Sequence, residues 1–255
     1  RMGDEKEANA AIDVKMEISS YSKRISLKSP KSGYLQYIDG ESLMDTVSDL
    51  DGLFDLKFRP GSFLVKGLEI GSIYSNQELK NEQLDKIEDQ FVIGDVKTSQ
   101  QDLEFSIFQM VEIAARALSP GVNDPFTAIA CIDNLTTTLS YLGQTRFPSQ
   151  FRYDPDGKLR IIADTIDFEG VLDAAFNQIR QFSGGSPSVI IRLMEALITI
   201  KSFVKEESNK KALVRHAEMV LRLGKQTIQE KNDMGDLRTR SEKILTIDQL
   251  NQIDK

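Results

Sequence analysis

The side chains best suited to chemistry lie around a single break between two predicted helices. They are carboxylates, a guanidinium, an amide and two hydroxyls, at Asp102, Glu112, Arg116, Ser119, Asn123, Asp124 and Thr127. Paired carboxylates can exchange protons with a bound substrate. An arginine beside the free N–H groups of a helix start can hold an anion. One interpretation of this cluster is therefore a ligand-binding site, which would make the chain a small-anion sensor or an enzyme.

The same residue types can instead hold a helix corner together. Asp124 is a good N-cap for a helix that begins at Pro125, because proline is well tolerated at the first helical position. Pro120 ends the preceding helix, and Gly121 permits a positive φ in the connection. We favour this structural interpretation over the ligand site, and a partner-binding corner is the third interpretation.

Two amphipathic helices position the cluster. Hydrophobic spacing predicts helices over residues 100–118 and 125–142, and the short connection favours an antiparallel pair. The polar stripe of the first helix also contains hydrophobic residues such as Ile113, which indicates that this stripe is partly buried. A buried carboxylate needs a partner, and Glu112 and Arg116 are at the helical pairing distance. We therefore expect a partly buried ion pair beside the corner.

The hydrophobic pattern changes along the chain from strand-like to helical spacing. Alternation over residues 12–18 predicts the first strand, and short strands with proline and glycine turns follow. The predicted divisions are a disordered or junction segment (1–11), a small β-rich domain (12–76), an α-helical domain with a hairpin near 151–163 (77–245) and a tail (246–255). The fold class is α+β, with a small N-terminal β-barrel or sandwich-like domain followed by an α-helical bundle that carries a β-hairpin insert.

The composition excludes several functional classes. The 255 residues include 32 basic and 39 acidic side chains, and the net charge of −7 disfavours binding to nucleic acid. One cysteine and one histidine cannot form an internal disulfide or a Cys/His zinc site. We therefore expect no metal and no cofactor. The most apolar stretch, residues 188–204, is interrupted by charges, so the chain as given is expected to be soluble.

Three isolated side chains could carry chemistry, but packing explains each of them better. His216 lies at the edge of an apolar helix face, and Cys131 lies between apolar neighbours. Lys66 lies inside a strand-like run rather than at a hairpin tip, which disfavours attachment of a swinging-arm cofactor.

One long string of residues resembles the signature of a known family. The string QMVEIAARALSPGVNDPFTA at residues 109–128 is similar to that of the uncharacterised bacterial family called domain of unknown function 2254, which consists of predicted membrane proteins. Other similar segments are residues 32–39, 59–67, 101–102 and 156–157. The resemblance covers about residues 30–245, whereas residues 1–11 match nothing that we identify in the family.

The resemblance implies a role in a membrane protein rather than a reaction. Family members usually carry several transmembrane helices before this region, so the chain would be the soluble C-terminal region of an inner-membrane protein, on its cytoplasmic side. The family has no established reaction. We therefore expect a non-enzymatic regulatory or assembly domain that self-associates as a homo-oligomer. A channel or transporter is the kind of whole protein that such a domain would serve.

Overall fold

The fold is a mixture of helices and strands. The computed structural model describes residues 14–254, so the expectation for residues 1–11 lies outside the described residues. The described residues form ten helices and two β-sheets, which confirms the α+β class. Contacts divide the chain into two compact units, Arg1–Asp102 with Ser149–Thr165, and Leu103–Pro148 with Ile166–Lys255.

The elements follow one another in a simple order. The strands are β1 (Lys23–Lys28), β2 (Gly33–Ile38), β3 (Leu53–Leu56), β4 (Phe63–Leu64), β5 (Glu69–Ser75), β6 (Phe91–Gly94), β7 (Phe151–Tyr153) and β8 (Leu159–Ala163). The helices are α1 (Val14–Ser19), α2 (Gly40–Asp49), α3 (Asn81–Glu88), α4 (Leu103–Ala117), α5 (Pro125–Leu142), α6 (Phe168–Phe182), α7 (Pro187–Lys201), α8 (Glu207–Thr227), α9 (Lys231–Ser241) and α10 (Ile247–Asp254).

Two open sheets form most of the first unit. The larger sheet has the strand order β1-β5-β3-β8-β7, and the smaller one has the order β4-β2-β6. Neither sheet closes on itself within residues 14–254, so the predicted barrel or sandwich-like domain is not present there as a closed barrel. Hydrophobic side chains from both sheets and from α2 and α3 meet in one core, which includes Leu35, Phe54 and Ile87.

The first predicted strand is a helix. Residues 12–18 alternate between apolar and polar side chains, but Val14–Ser19 is the short helix α1. None of the residues of α1 is buried. Alternation specifies a strand only when one face of that strand packs on a core, and these residues have no such face.

The predicted hairpin belongs to the first unit rather than to the helical one. Strands β7 and β8 are antiparallel, and β8 also pairs in parallel with β3, placing Ile161 beside Phe54. Both side chains are fully buried. The prediction that this hairpin lies inside the helical domain is wrong, because pairing between strands so far apart along the chain leaves no local signal.

A buried arginine fastens β8 to the turn before β3. Arg160 is only 4% exposed, and its Nε donates to Asp154 Oδ2 at 2.7 Å. Its Nη1 donates to the carbonyl oxygen of Gly52 at 3.1 Å, and its Nη2 lies 2.9 Å from Asp51 Oδ1. The guanidinium therefore joins Asp154 of the β7–β8 hairpin to two residues of the turn before β3, in which Asp51 has a left-handed φ of 43°.

The second unit is a helical bundle built around α7. This helix buries seven apolar side chains and packs against α5, α8 and α9. The predicted tail, residues 246–255, contains helix α10, whose Leu250 is buried in the bundle core. Within residues 14–254, no helix is both long enough and apolar enough to span a bilayer.

Candidate functional site

The connection between α4 and α5 is a tight corner held by its own backbone. The carbonyl oxygen of Ser119 accepts from the N–H groups of Val122 and Asn123, at 3.0 and 2.9 Å. The N–H of Asp124 donates to the carbonyl oxygen of Ala117 at 2.8 Å, which joins the end of α4 to the start of α5. The left-handed residue is Asn123, with φ of 50°, rather than the Gly121 that the sequence suggested. Asparagine tolerates this conformation better than other residues with side chains.

Asp124 caps α5 as the sequence predicts. Its Oδ1 accepts from the backbone N–H of Thr127 at 3.1 Å, and its Oδ2 accepts from the Thr127 hydroxyl at 2.5 Å. These bonds, led by the one from the hydroxyl, hold the pKa of Asp124 below its usual range. The carboxylate and the hydroxyl are thus engaged with each other and with the helix start.

Glu112 and Arg116 do pair, but on the surface. Arg116 Nη2 lies 2.7 Å from Glu112 Oε1, and the two side chains are 73% and 70% exposed. The expectation that this stripe of α4 is partly buried is therefore wrong. Ile113, which suggested burial, is itself 50% exposed. A hydrophobic side chain within a polar stripe can equally mark a surface patch.

Asp102 does not belong to this corner. It is buried in the first unit, where it packs against Gly61. Gly61 has φ of 93°, and a Cβ at this position would lie 2.2 Å from Asp102 Oδ2. The hydroxyl of Ser119 is engaged locally, since it donates to the carbonyl oxygen of Arg116 at 2.7 Å.

A shallow groove of about 470 Å³ lies along the corner. Its lining residues, all from the second unit, are Gln109, Glu112, Ile113, Arg116, Ala117, Val122, Asp124 and Thr127. Beside this corner groove, Phe126 is 81% exposed, and Val122 is also exposed. The groove and its edge therefore combine one exposed ion pair with three exposed apolar side chains, Ile113, Val122 and Phe126.

We expect Asp124→Ala to lower the free energy of unfolding of the second unit by about 1 kcal/mol, because the change removes an N-cap. Thermal unfolding followed by circular dichroism measures this effect. Asp124→Asn is the matched control and should retain most of the stability, because asparagine also caps helices. Equal losses in both variants would mean that the charge of Asp124, rather than its capping bonds, is what matters.

Arg116→Ala should change the free energy of unfolding by less than about 1 kcal/mol, because exposed ion pairs contribute little. Chemical denaturation of the variant and of Glu112→Ala measures this difference. A loss of several kcal/mol would contradict the exposed position of the pair.

Two charged clusters of the second unit include partners that the sequence does not predict. Arg192 and Glu195 lie three residues apart on α7 and pair at 3.0 Å. Arg192 also bonds to Asp133 of α5, and Glu195 bonds to Arg240 of α9 at 2.8 Å. Only the pair within α7 has a local spacing signal, so the links to α5 and α9 could not be predicted.

The second cluster surrounds the single histidine. His216 is fully buried, and its Nε2 lies 2.7 Å from Asp173 Oδ1. Arg215 Nη2 lies 2.6 Å from the same oxygen. Burial lowers the pKa of His216 to about 4, against the opposing effect of Asp173. Helical spacing predicted that His216 lies at a packed face, but it could not predict the partner Asp173 on α6.

Within residues 14–254, no three potential metal-ligating side chains come together. Cys131 is buried in the helical core, and burial raises the pKa of its thiol. A buried thiol with a raised pKa is a poor nucleophile.

Comparison with known proteins places the chain in a family. The model of the predicted membrane protein family DUF2254 matches residues 2–199. This match begins inside residues 1–11, for which the sequence predicts no resemblance to the family. No solved structure matches the chain.

The curated relatives are uncharacterised mycobacterial proteins. One from Mycobacterium bovis and one from Mycobacterium tuberculosis are each 27% identical to the chain over 213 residues. Each match covers 82% of this chain and 41% of the relative. The chain thus spans about two fifths of the length of these relatives. The family model matches most of the chain, which confirms the resemblance. The chain belongs to the DUF2254 family of predicted membrane proteins.

Proposed function

We propose that this chain is an assembly domain of a bacterial inner-membrane protein and lies on the cytoplasmic side of the membrane. The domain would regulate the whole protein by self-association through the corner groove. A channel or transporter is the class of protein that such an assembly would serve. The proposal rests on one observation at the corner, namely the contrast between its bonded polar groups and its exposed apolar side chains. Its buried and capping groups bond to one another, whereas Ile113, Val122 and Phe126 stay exposed. Exposed apolar patches of this kind often mark sites of protein association.

The charges around the corner groove suit a second copy of the chain. Glu112 and Arg116 lie side by side on the exposed stripe of α4. A twofold interface brings identical surfaces together in opposite directions. Arg116 of one copy can then approach Glu112 of the other while the Phe126 side chains meet near the axis. The capped corner would serve as a rigid platform for this contact.

Sedimentation equilibrium over a range of protein concentrations tests this proposal. We expect the chain to form dimers and the double variant Ile113→Ser/Phe126→Ser to dissociate at least tenfold more readily, because two exposed apolar anchors are lost. Phe182→Ser/Phe203→Ser is the matched control, since both phenylalanines are exposed elsewhere in the second unit. A chain that stays monomeric at high concentration, or equal effects in both variants, would contradict the proposal.

A small-anion sensor or an enzyme is the second candidate, and the corner groove itself favours it. Arg116 lines a space large enough for a small ligand. Against an anion, two carboxylates, Glu112 and Asp124, line the same groove, and Asp124 already occupies the start of α5. Thermal unfolding with added phosphate distinguishes the candidates. Stabilisation by phosphate that is lost in Arg116→Ala would favour the sensor.

A further inference from the structure

We propose that the outer face of the small sheet in the first unit docks onto the surface of an anionic lipid bilayer. An antiparallel sheet usually turns apolar side chains toward the core and polar ones toward water. In the small sheet, Leu35, Leu64 and Ile93 fill the inner face and are buried. The outward positions of β4-β2-β6 include the aromatic Phe63 and Tyr34 and the aliphatic Val92, beside the polar Gln36.

The exposed side chains form one continuous patch. Phe63 of β4 pairs with Tyr34 of β2, and their ring centroids are 5.0 Å apart. Tyr34 also pairs with Gly94 of β6, two residues after Val92 on the same strand. Phe63 is 55% exposed, and Val65, Leu68, Val92 and Val96 are exposed as well. Gln36 bridges this surface, since its Nε2 donates to the carbonyl oxygen of Val96 at 2.7 Å.

Lysines surround this patch. The N–H of Lys66 donates to Ser32 Oγ at 3.0 Å, and the N–H of Gly67 donates to the carbonyl oxygen of Ser29 at 2.8 Å. These bonds bring the turn after β1, which follows Lys28 and contains Lys31, beside Lys66. On the other side, Lys97 Nζ lies 5.7 Å from the centre of the Tyr34 ring. We call the whole surface, with its apolar patch and these four lysines, the lysine-rimmed face.

The charge of the lysine-rimmed face is opposite to that of the chain. The whole chain carries a net charge of −7. In contrast, the three segments that build the face, residues 28–34, 63–68 and 91–97, contain four lysines and a single acidic residue, Asp95. Among the residues that the structure describes, Lys28, Lys31 and Lys66 have no carboxylate partner. Such a cluster attracts anionic headgroups.

The combination of charges and apolar side chains fits a bilayer better than either feature alone. Interfacial binding uses apolar side chains that enter the headgroup region and lysines that pair with anionic lipids. The chain also belongs to a family of predicted membrane proteins, which supports a bilayer as the partner of this face. The inference does not depend on self-association through the corner groove, because every residue of the lysine-rimmed face lies in the first unit.

A single tryptophan can report on this contact, because the chain has none of its own. We expect the fluorescence of Phe63→Trp to shift to the blue when vesicles of phosphatidylcholine and phosphatidylserine are added. Pure phosphatidylcholine vesicles should produce a much smaller shift. Phe203→Trp, at an exposed phenylalanine of the second unit, is the control and should not respond.

Co-sedimentation with the same vesicles tests the lysines. One lysine near an anionic surface contributes about fivefold to binding, so Lys28→Gln/Lys31→Gln/Lys66→Gln should bind about a hundredfold more weakly. The control Lys205→Gln/Lys211→Gln/Lys243→Gln changes the net charge equally at exposed sites of the second unit. It should bind almost as well as the unmodified chain. Unchanged thermal unfolding of both triple variants would establish that folding is intact.

Three results would overturn the proposal. The first is the absence of both the fluorescence shift and co-sedimentation with anionic vesicles. The second is an equal loss of binding in the two triple variants, which would mean that overall charge rather than this face binds lipid. The third is a Phe63→Trp shift that grows with protein concentration without vesicles, which would assign the face to a second copy of the chain.

Discussion

Arg160→Ala is expected to lower the free energy of unfolding of the first unit by about 3–5 kcal/mol. This range is typical when one partner of a buried ion pair is removed, because the other charge is left without compensation. Here the buried Asp154 carboxylate would lose a bond of 2.7 Å, and the Gly52 carbonyl would lose its side-chain donor. Hydrogen exchange at the amides of β3 and β8 measures the loss where these two strands pair.

Two further variants separate burial from charge. Arg24 of β1 pairs with Glu69 but is about half exposed, so Arg24→Ala should cost less than about 1 kcal/mol. The double variant Asp154→Leu/Arg160→Met replaces both charges with apolar groups and should recover part of the stability lost in Arg160→Ala. If Arg160→Ala costs no more than Arg24→Ala, then Arg160 does not fasten β8 to the turn before β3.

The second unit should lose about 3 kcal/mol of stability between pH 6.5 and pH 4 because of His216 alone. Burial lowers the pKa of folded His216 from 6.5 to about 4. In this window the unfolded chain therefore binds a proton that the folded chain does not. Stability is complete above pH 6.5 and falls as the pH drops toward the folded pKa. Arg180 of α6 and Arg215 of α8 also disfavour the charged form, while Asp173 favours it.

Denaturation of the chain and of His216→Gln at a series of pH values measures this contribution. Glutamine keeps a donor toward Asp173 but does not titrate, so the stability difference between the two proteins should vary across the window. The lowered pKa of Asp173 adds a further loss at more acidic pH, which both proteins share. Because the chain has one histidine, its NMR resonance can be identified directly. Titration near pH 6.5 would contradict the buried, neutral state.

Local sequence signals predicted much of the helical unit. Helix α5 spans the predicted residues 125–142, and Asp124 caps its start as predicted. Hydrophobic spacing alone could not assign α10, because its buried face is defined by the core that it meets. For the same reason the alternating pattern at α1 was misleading, because no sheet buries one face of these residues.

Long-range contacts determine the features that local sequence patterns could not predict. The pairing of β8 with β3 joins segments that are about a hundred residues apart. At the candidate site, Asp124 and Thr127 interact as local spacing suggests, while Asp102 lies in the first unit. A helical wheel identifies the stripe that carries Glu112, but it cannot decide whether that stripe meets water or protein.

The proposed regulatory role depends on where two copies meet. The corner groove and the lysine-rimmed face are separate surfaces, each carried by one unit. Loss of lipid binding would therefore leave the assembly proposal intact, and a monomeric chain would leave the lipid proposal intact. Because the chain covers only about two fifths of its curated relatives, both surfaces should also be tested in the whole protein.

Cysteine cross-linking tests the central claim most directly, because Cys131 is the only cysteine and is buried. In a Cys131→Ala background, Phe126→Cys places one exposed thiol at the corner, and Phe182→Cys places one elsewhere on the same unit. Mild oxidation should produce a covalent dimer of the Phe126→Cys protein at concentrations where the Phe182→Cys protein stays monomeric. Cross-linking of Phe182→Cys alone, or of neither protein, would contradict assembly through the corner.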